Sequence, residues 1–288
     1  MREIKVCAPA KINLYLDILD KRPDGFHDIE TLFEKIDLKD EIIIREKGVG
    51  INVNADERSC PQGEENIVYK AIQAVSLEAK VDLNLDVRII KNIPLSAGLG
   101  GGSSDAAAAL RAINDMFELG VSDERLFSIA GDIGKDVPFF MLDAAFAVGR
   151  GAGEILEPIR TDYTLWHLLI NPGIAISTAL MYKRIDEYNR GPARKPGIEG
   201  MIRGLKEKDA GLVRTNYYNV FEEVLGEHDI HIKRIKDLLL GAGADTGLLS
   251  GSGSTVFCTF EDKGGAEKVL KKIPENTGMD VFLVKTYR

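Results

Sequence analysis

Four glycines fall within five positions at Gly98, Gly100, Gly101 and Gly102, inside the run Pro94-Leu95-Ser96-Ala97-Gly98-Leu99-Gly100-Gly101-Gly102-Ser103-Ser104. Before it, Val81, Leu83, Leu85, Val87 and Ile89 alternate with polar residues, which predicts a strand over 81–90. After it come four successive alanines, Ala106 to Ala109, the residue of highest intrinsic helix preference, which predicts a helix over 105–117. The glycines therefore join a strand to the start of a helix. Backbone N–H groups there lack internal partners and carry partial positive charge, so they attract an anion. Without Cβ atoms the backbone can close on phosphate oxygens and adopt the dihedrals of an anion-binding nest. Ser103 and Ser104 add hydroxyls, and Asp105 is expected to cap the helix.

The bland alternative, a flexible strand-to-helix connection, fits two glycines better than four. The run is not a Walker loop, because GxxxxGK[ST] is absent, and the third glycine of a dinucleotide fingerprint would fall at Ser103. A dinucleotide unit would also return to a strand bearing an acidic residue, whereas a second helix is predicted from Ser122 as N-cap to about Asp132. A dinucleotide oxidoreductase is thereby disfavoured.

Phosphoryl transfer requires charge neutralisation around the phosphates and a group that receives or orients the acceptor hydroxyl. Asp136, in Gly131-Asp-Ile-Gly-Lys-Asp-Val-Pro-Phe-Phe140, sits in a stiff loop between a helix exit and an apolar pair. Lys11, in Ala8-Pro-Ala-Lys-Ile-Asn-Leu-Tyr-Leu16, is a cation on an early strand. Taken singly, the aspartate reads as a loop or capping residue and the lysine as a solvated strand end. A lysine near an aspartate would keep it ionised and favour an alkoxide, so the pair is catalytic only if the fold joins them. Of the other glycine turns, 149–153 reads as a hairpin turn, 250–254, ahead of a strand, could bring amides and hydroxyls near phosphate, and Gly241-Ala-Gly243 reads as a helix end.

These groups need positioning elements. Strands are predicted at 4–6, 13–19 and 41–46, a helix at 66–78, and a hairpin over 145–159. From about Thr161 the order becomes strand (165–170), helices (177–240), strand (254–260), helix (265–272) and strand (281–287), with 189–200 as an exposed loop. Strands and helices alternate too irregularly for a doubly wound sheet, so the class is α+β. The expected division is an N-terminal domain over 1–160, with the phosphate loop, and a C-terminal domain over 161–288.

Composition narrows the setting. The 288 residues carry a net charge of -8, which argues against a nucleic-acid partner. Cys7, Cys60 and Cys258 form no CxxC pair and are read as reduced, in a cytoplasmic protein. The four histidines lack metal-site spacing, so no protein-held metal is expected, and no run reaches the ~20 apolar residues of a membrane span.

Together, Pro9 to Leu16, Leu19-Asp-Lys-Arg-Pro-Asp-Gly-Phe-His-Asp-Ile-Glu-Thr-Leu-Phe33, Pro94 to Leu110, Ile133 to Phe140, Gly149 to Leu156 and Leu249 to Phe257 resemble the 4-diphosphocytidyl-2-C-methyl-D-erythritol kinases. That family lies within the superfamily of galactokinase, homoserine kinase, mevalonate kinase and phosphomevalonate kinase. The resemblance implies an N-terminal domain of ribosomal-protein-S5-like fold with a left-handed βαβ element, a ferredoxin-like C-terminal domain, and an active site between them. It implies ATP-dependent phosphorylation of the acceptor's 2-hydroxyl, a step of the non-mevalonate route to isopentenyl diphosphate; a monomer or homodimer acting on this small molecule is expected. Asp136 matches the family's general base and Lys11 its catalytic lysine. Asn13 matches a position near the acceptor, His27 one that recognises cytosine, and Phe26 the aromatic that stacks on that base, most often tyrosine. Tyr182 is expected to supply the opposing ring, Asn66 and Lys91 to contact adenine or its ribose, and Pro94 to Ser104 to bind ATP, with Mg2+ held mainly by phosphate oxygens and water. Another superfamily kinase, or a nucleotide-binding regulator without turnover, remains the alternative.

Overall fold

The computed structural model describes residues 2–188 and 195–288. In chain order, β1 (Glu3–Lys21), β2 (His27–Glu46) and β3 (Ile51–Ala55) precede α1 (Ile67–Ala79) and β4 (Leu85–Ile90). Then come α2 (Gly101–Met116), α3 (Asp123–Ile133), α4 (Val137–Met141), β5 (Phe146–Arg150), β6 (Ile155–Ile159) and β7 (Trp166–Asn171). The remainder holds α5 (Thr178–Glu187), α6 (Ile198–Glu207), α7 (Ala210–Thr215), β8 (Tyr218–Asn219), α8 (Asp229–Ala242), β9 (Leu248–Leu249), β10 (Val256–Phe260), α9 (Lys263–Leu270) and β11 (Asp280–Lys285).

By compactness the chain forms two units, and the division runs through β1, β2 and the glycine loop. The first comprises Met1–Ala10, Leu38–Leu95 and Gly100–Asp143. In it, β3 pairs parallel with β4 across the α1 crossover, and β4 pairs antiparallel with the end of β2, Glu41 opposite Ile90. The side chains of Val68, Ala71, Ile72 and Val75 recur at helical spacing and form the buried stripe of α1. Its start is capped by Asn66, whose side chain accepts from Val68 N. α1 packs on α2, where buried Ala106, Ala107 and Ala109 allow close approach beside Leu110 and Ile113.

The second unit comprises Lys11–Asp37, Ser96–Leu99 and Ala144–Arg288. The expected hairpin is present as β5–β6, and β5 also pairs with β2, Thr31 opposite Gly149. An antiparallel sheet in the order β11-β7-β10-β9 buries Leu168, Ile170, Val256 and Cys258 against Ile232, Ile235 and Leu239 of α8 and Val269 of α9. Burying each large aliphatic side chain stabilises by about 1.5–3 kcal/mol. Gly243 ends α8 at φ 99°, the left-handed cap read from the sequence.

Several boundaries differ from the sequence reading. β4 begins at Leu85, and 81–84 is not strand. β2 runs 20 residues; the sequence suggested only 41–46, because buried Glu34, Lys35 and Asp40 break the apolar alternation. The α2 helix takes in Gly101 and Gly102, so Asp105 lies inside it and does not cap it. Of the expected exposed loop, 189–194 lies outside the described residues, and Ile198 already opens α6.

Candidate active site

In the second unit the middle of the glycine loop is fixed by the 250–254 turn. Ser96 and Gly98 both adopt positive φ, 52° and 77°. A Cβ on Gly98 would stand 2.0 Å from the Ser250 carbonyl oxygen, so only glycine fits. Ser250 Oγ donates to Gly98 O at 3.0 Å, and Thr255 N donates to Ala97 O at 3.2 Å. The second glycine turn therefore backs the first.

β1 enters the same neighbourhood, with Lys11 N donating to Leu99 O at 2.9 Å. The Lys11 side chain is not a solvated strand end: the residue is 4% exposed. Its Nζ donates to Asn13 Oδ1 at 2.6 Å and lies 5.5 Å from the centroid of the Phe33 ring. Asn13 Nδ2 donates in turn to Thr31 Oγ1 at 2.8 Å, and Thr31 Oγ1 to Tyr15 O. A Cβ on Gly251 would be 3.4 Å from both Asn13 Oδ1 and Lys11 Nζ. A buried ammonium held in one orientation beside backbone-rich turns stabilises negative charge more strongly than a solvated one. Thr31 was not singled out as a site residue; the segment 30–33 carries the family resemblance, which is the signal that points to it.

In the first unit, the Lys91 ammonium is bonded by Asp40 and by Asp105, the latter at 2.8 Å, and its side chain is 3% exposed. Burial would lower the lysine, yet the two carboxylates together raise it. Asp40 Oδ1 also accepts Asn92 N at 2.6 Å and Ile93 N at 2.8 Å. Burial pushes Asp105 up to about 7, Lys91 opposing and Asp40 reinforcing, and among the described residues Asp105 Oδ1 has no hydrogen-bond partner. This cluster braces the exit of β4 against the first turns of α2. Lys91, expected at adenine, thus has its ammonium committed within the protein. Asn66 is likewise engaged through its side chain, as the α1 cap and as donor to Pro61 O at 2.7 Å.

Asp136 precedes α4, with φ −85° and ψ −16°, and Pro138 lies in the first turn. Its side chain makes no capping bond, which removes the capping reading. Lys11 belongs to the second unit and Asp136 to the first.

The base-recognition candidates group together in the second unit. Phe26 closes the turn between β1 and β2, where Gly25 has φ 88° and Arg22 N donates to Phe26 O; the residue is 50% exposed. His27 is buried, and Tyr182 stacks on its ring at 4.9 Å between centroids.

Comparison with known proteins gives the family. The model for the GHMP kinases N terminal domain matches residues 66–148, and that for GHMP kinases C terminal matches 201–277. The 4-diphosphocytidyl-2-C-methyl-D-erythritol kinase of a Geobacter species is 37% identical over 287 residues, 99% of this chain and 100% of the relative. The chain belongs to the 4-diphosphocytidyl-2-C-methyl-D-erythritol kinase family of GHMP kinases.

The same family name is carried by a Listeria innocua protein that is 37% identical over 93% of this chain and 91% of its own length. A crystal structure of 4-(cytidine 5'-diphospho)-2C-methyl-D-erythritol kinase superposes with a TM-score of 0.81 at 27% identity, covering 99% of this chain and 100% of that one. The L. major mevalonate kinase, solved with R-mevalonate, shares the fold at a TM-score of 0.73 and 18% identity, covering 98% and 95%. The kinase therefore has the α+β GHMP architecture expected from its sequence, uses ATP as phosphate donor and phosphorylates an alcohol group. Among the described residues, no helix is long and apolar enough to cross a membrane.

Proposed function

We infer that this kinase transfers the γ-phosphoryl group of ATP to the 2-hydroxyl of 4-diphosphocytidyl-2-C-methyl-D-erythritol, giving the 2-phosphate and ADP on the non-mevalonate route to isopentenyl diphosphate. One observation carries the reading: a relative of that name aligns over 99% of the chain at 37% identity. In this reading the acceptor oxygen forms a bond to the γ-phosphorus, the bond to the β,γ-bridging oxygen breaks, and ADP leaves. Asp136 takes or orients the hydroxyl proton. The buried Lys11 ammonium, held by Asn13, offsets the charge that develops as the proton departs. Pro94 to Ser104 hold the nucleotide phosphates. Phe26 supplies a stacking face and His27 reads the cytosine, while Tyr182 supports the site through its contact with His27. Adenine or ribose contacts at Asn66 and Lys91 then come from their backbones, since both side chains are engaged.

Mg2+ would accompany the nucleotide. Among the described residues no three His, Cys, Asp or Glu side chains group to hold a metal, whereas the buried Ser104 hydroxyl has no hydrogen-bond partner. That hydroxyl suits a shell otherwise made of phosphate oxygens and water, and the ion would neutralise phosphate charge. The reading also keeps a boundary near residue 160, which lies between the two matched family segments, and a cytoplasmic monomer or homodimer acting on a small molecule.

The test couples ADP release to NADH oxidation with magnesium and ATP present. ADP release that depends on the cytidyl acceptor supports the reading; release that ignores the acceptor contradicts it.

A further inference from the structure

α5 presents Tyr182 and Asp186 four residues apart, the spacing that puts two side chains on one face of a helix. Both meet His27, the first residue of β2. The Tyr182 ring lies against the imidazole with 26° between planes, and buried Phe221 holds that tyrosine edge-on at 5.2 Å and 88°. Asp186 Oδ1 is 2.7 Å from His27 Nε2, so the ring is fixed in plane by the tyrosine and about its axis by the carboxylate. Asp186 also accepts from Lys21; Lys21 first and His27 second hold it below the usual carboxylate range. An ionised carboxylate can only accept, so a neutral imidazole facing it must carry its proton on Nε2. Its Nδ1 is then a bare acceptor.

We propose that Asp186 is a positioning residue for base selection: by fixing the His27 proton on Nε2, it leaves Nδ1 to accept from the 4-amino group of cytosine and to reject the 4-carbonyl of uracil. The proposal rests on the reading that His27 faces the base. Cytosine offers a donor where uracil offers an acceptor, and two acceptors face to face leave both unpaired, the arrangement that discriminates most strongly between close analogues. Asp186→Asn keeps the shape of the side chain but can donate from its amide to Nε2, which frees the opposite tautomer.

The test measures cytidine 5'-diphosphate and uridine 5'-diphosphate binding by calorimetry at about pH 8, where an ordinary imidazole is neutral, alongside nitrogen NMR of the His27 ring. Four proteins are compared: wild type, Asp186→Asn, Lys21→Ala and His27→Ala. The wild type and Lys21→Ala should show the Nε2–H tautomer and prefer the cytidine nucleotide. Asp186→Asn should populate the Nδ1–H tautomer and shrink that preference about tenfold, the scale of one hydrogen bond. If His27→Ala weakens cytidine binding while Asp186→Asn changes neither tautomer nor preference, the proposal alone is overturned. If His27→Ala binds the cytidine nucleotide as the wild type does, the base-site reading falls and takes the proposal with it. Equal effects of Lys21→Ala and Asp186→Asn on the preference would reduce Asp186 to a general charge effect and also overturn it.

Discussion

Gly98→Ala isolates the geometry on which the phosphate loop depends. Its φ of 77° is left-handed, which costs an L-residue about 1–2 kcal/mol. The added methyl would sit 2.0 Å from the backbone oxygen of Ser250, so one of the two turns must move, at a further cost of about 1–3 kcal/mol. Reduced freedom of the unfolded chain offsets about 0.4–1 kcal/mol of this. The net expectation is a loss on the order of 2–3 kcal/mol, read by urea denaturation. Because the displaced oxygen belongs to the turn beside Lys11 and Asn13, kcat/KM for ATP should fall by about two orders of magnitude, the scale of an ångström-sized misplacement. Gly102→Ala is the matched control for stability. There the methyl would meet only Ile67 Cγ2, at 3.6 Å, inside a helix, and should stabilise by up to about 1 kcal/mol. A Gly98→Ala protein that unfolds and turns over like the wild type would refute the packing of the two turns.

Asp136→Asn should lower kcat by about two to four orders of magnitude with ATP affinity unchanged, measured by steady-state kinetics and nucleotide titration; unchanged turnover removes it as the base. Phe26→Ala should weaken cytidine diphosphate binding by roughly 1–3 kcal/mol in calorimetry, and equal affinity would exclude it from the base site. Burial pushes Asp105 up to about 7 in the folded chain, from an ordinary value of 3.8. The folded state therefore holds an extra proton between those values, and stability should fall as pH rises through that interval. Asp105→Asn should flatten that part of the stability profile between pH 3.8 and about 7, as followed by denaturant titration; an unchanged slope would contradict the assignment.

The elements that follow one period were legible in the sequence. The α1 stripe, the β5–β6 hairpin and the Gly243 cap each rest on local rules of spacing or dihedral. The long β2 was not, because Glu34 and Asp40 look like a solvent face until their partners are known. Glu34 bonds His167 at 3.0 Å and Thr286 at 2.7 Å, from residues 133 and 252 positions away. The same physics hid the Lys91 cluster: a buried ion triad and a solvated charge run have the same composition. At the site, the glycine loop and the family segments pointed to Lys11, Asn13, Phe26, His27 and Asp136. The sequence could not show that Asp186, 159 residues from His27, meets its ring, although its four-residue spacing from Tyr182 was visible.

The central claim is that this chain phosphorylates the cytidyl acceptor. Incubation with magnesium, ATP and 4-diphosphocytidyl-2-C-methyl-D-erythritol, followed by phosphorus NMR, reads the reaction without coupling enzymes, with homoserine, mevalonate and galactose as parallel acceptors. The account predicts a new phosphomonoester resonance and matching ADP with the cytidyl acceptor alone. A monoester formed on one of the other acceptors, or none on any, would contradict it.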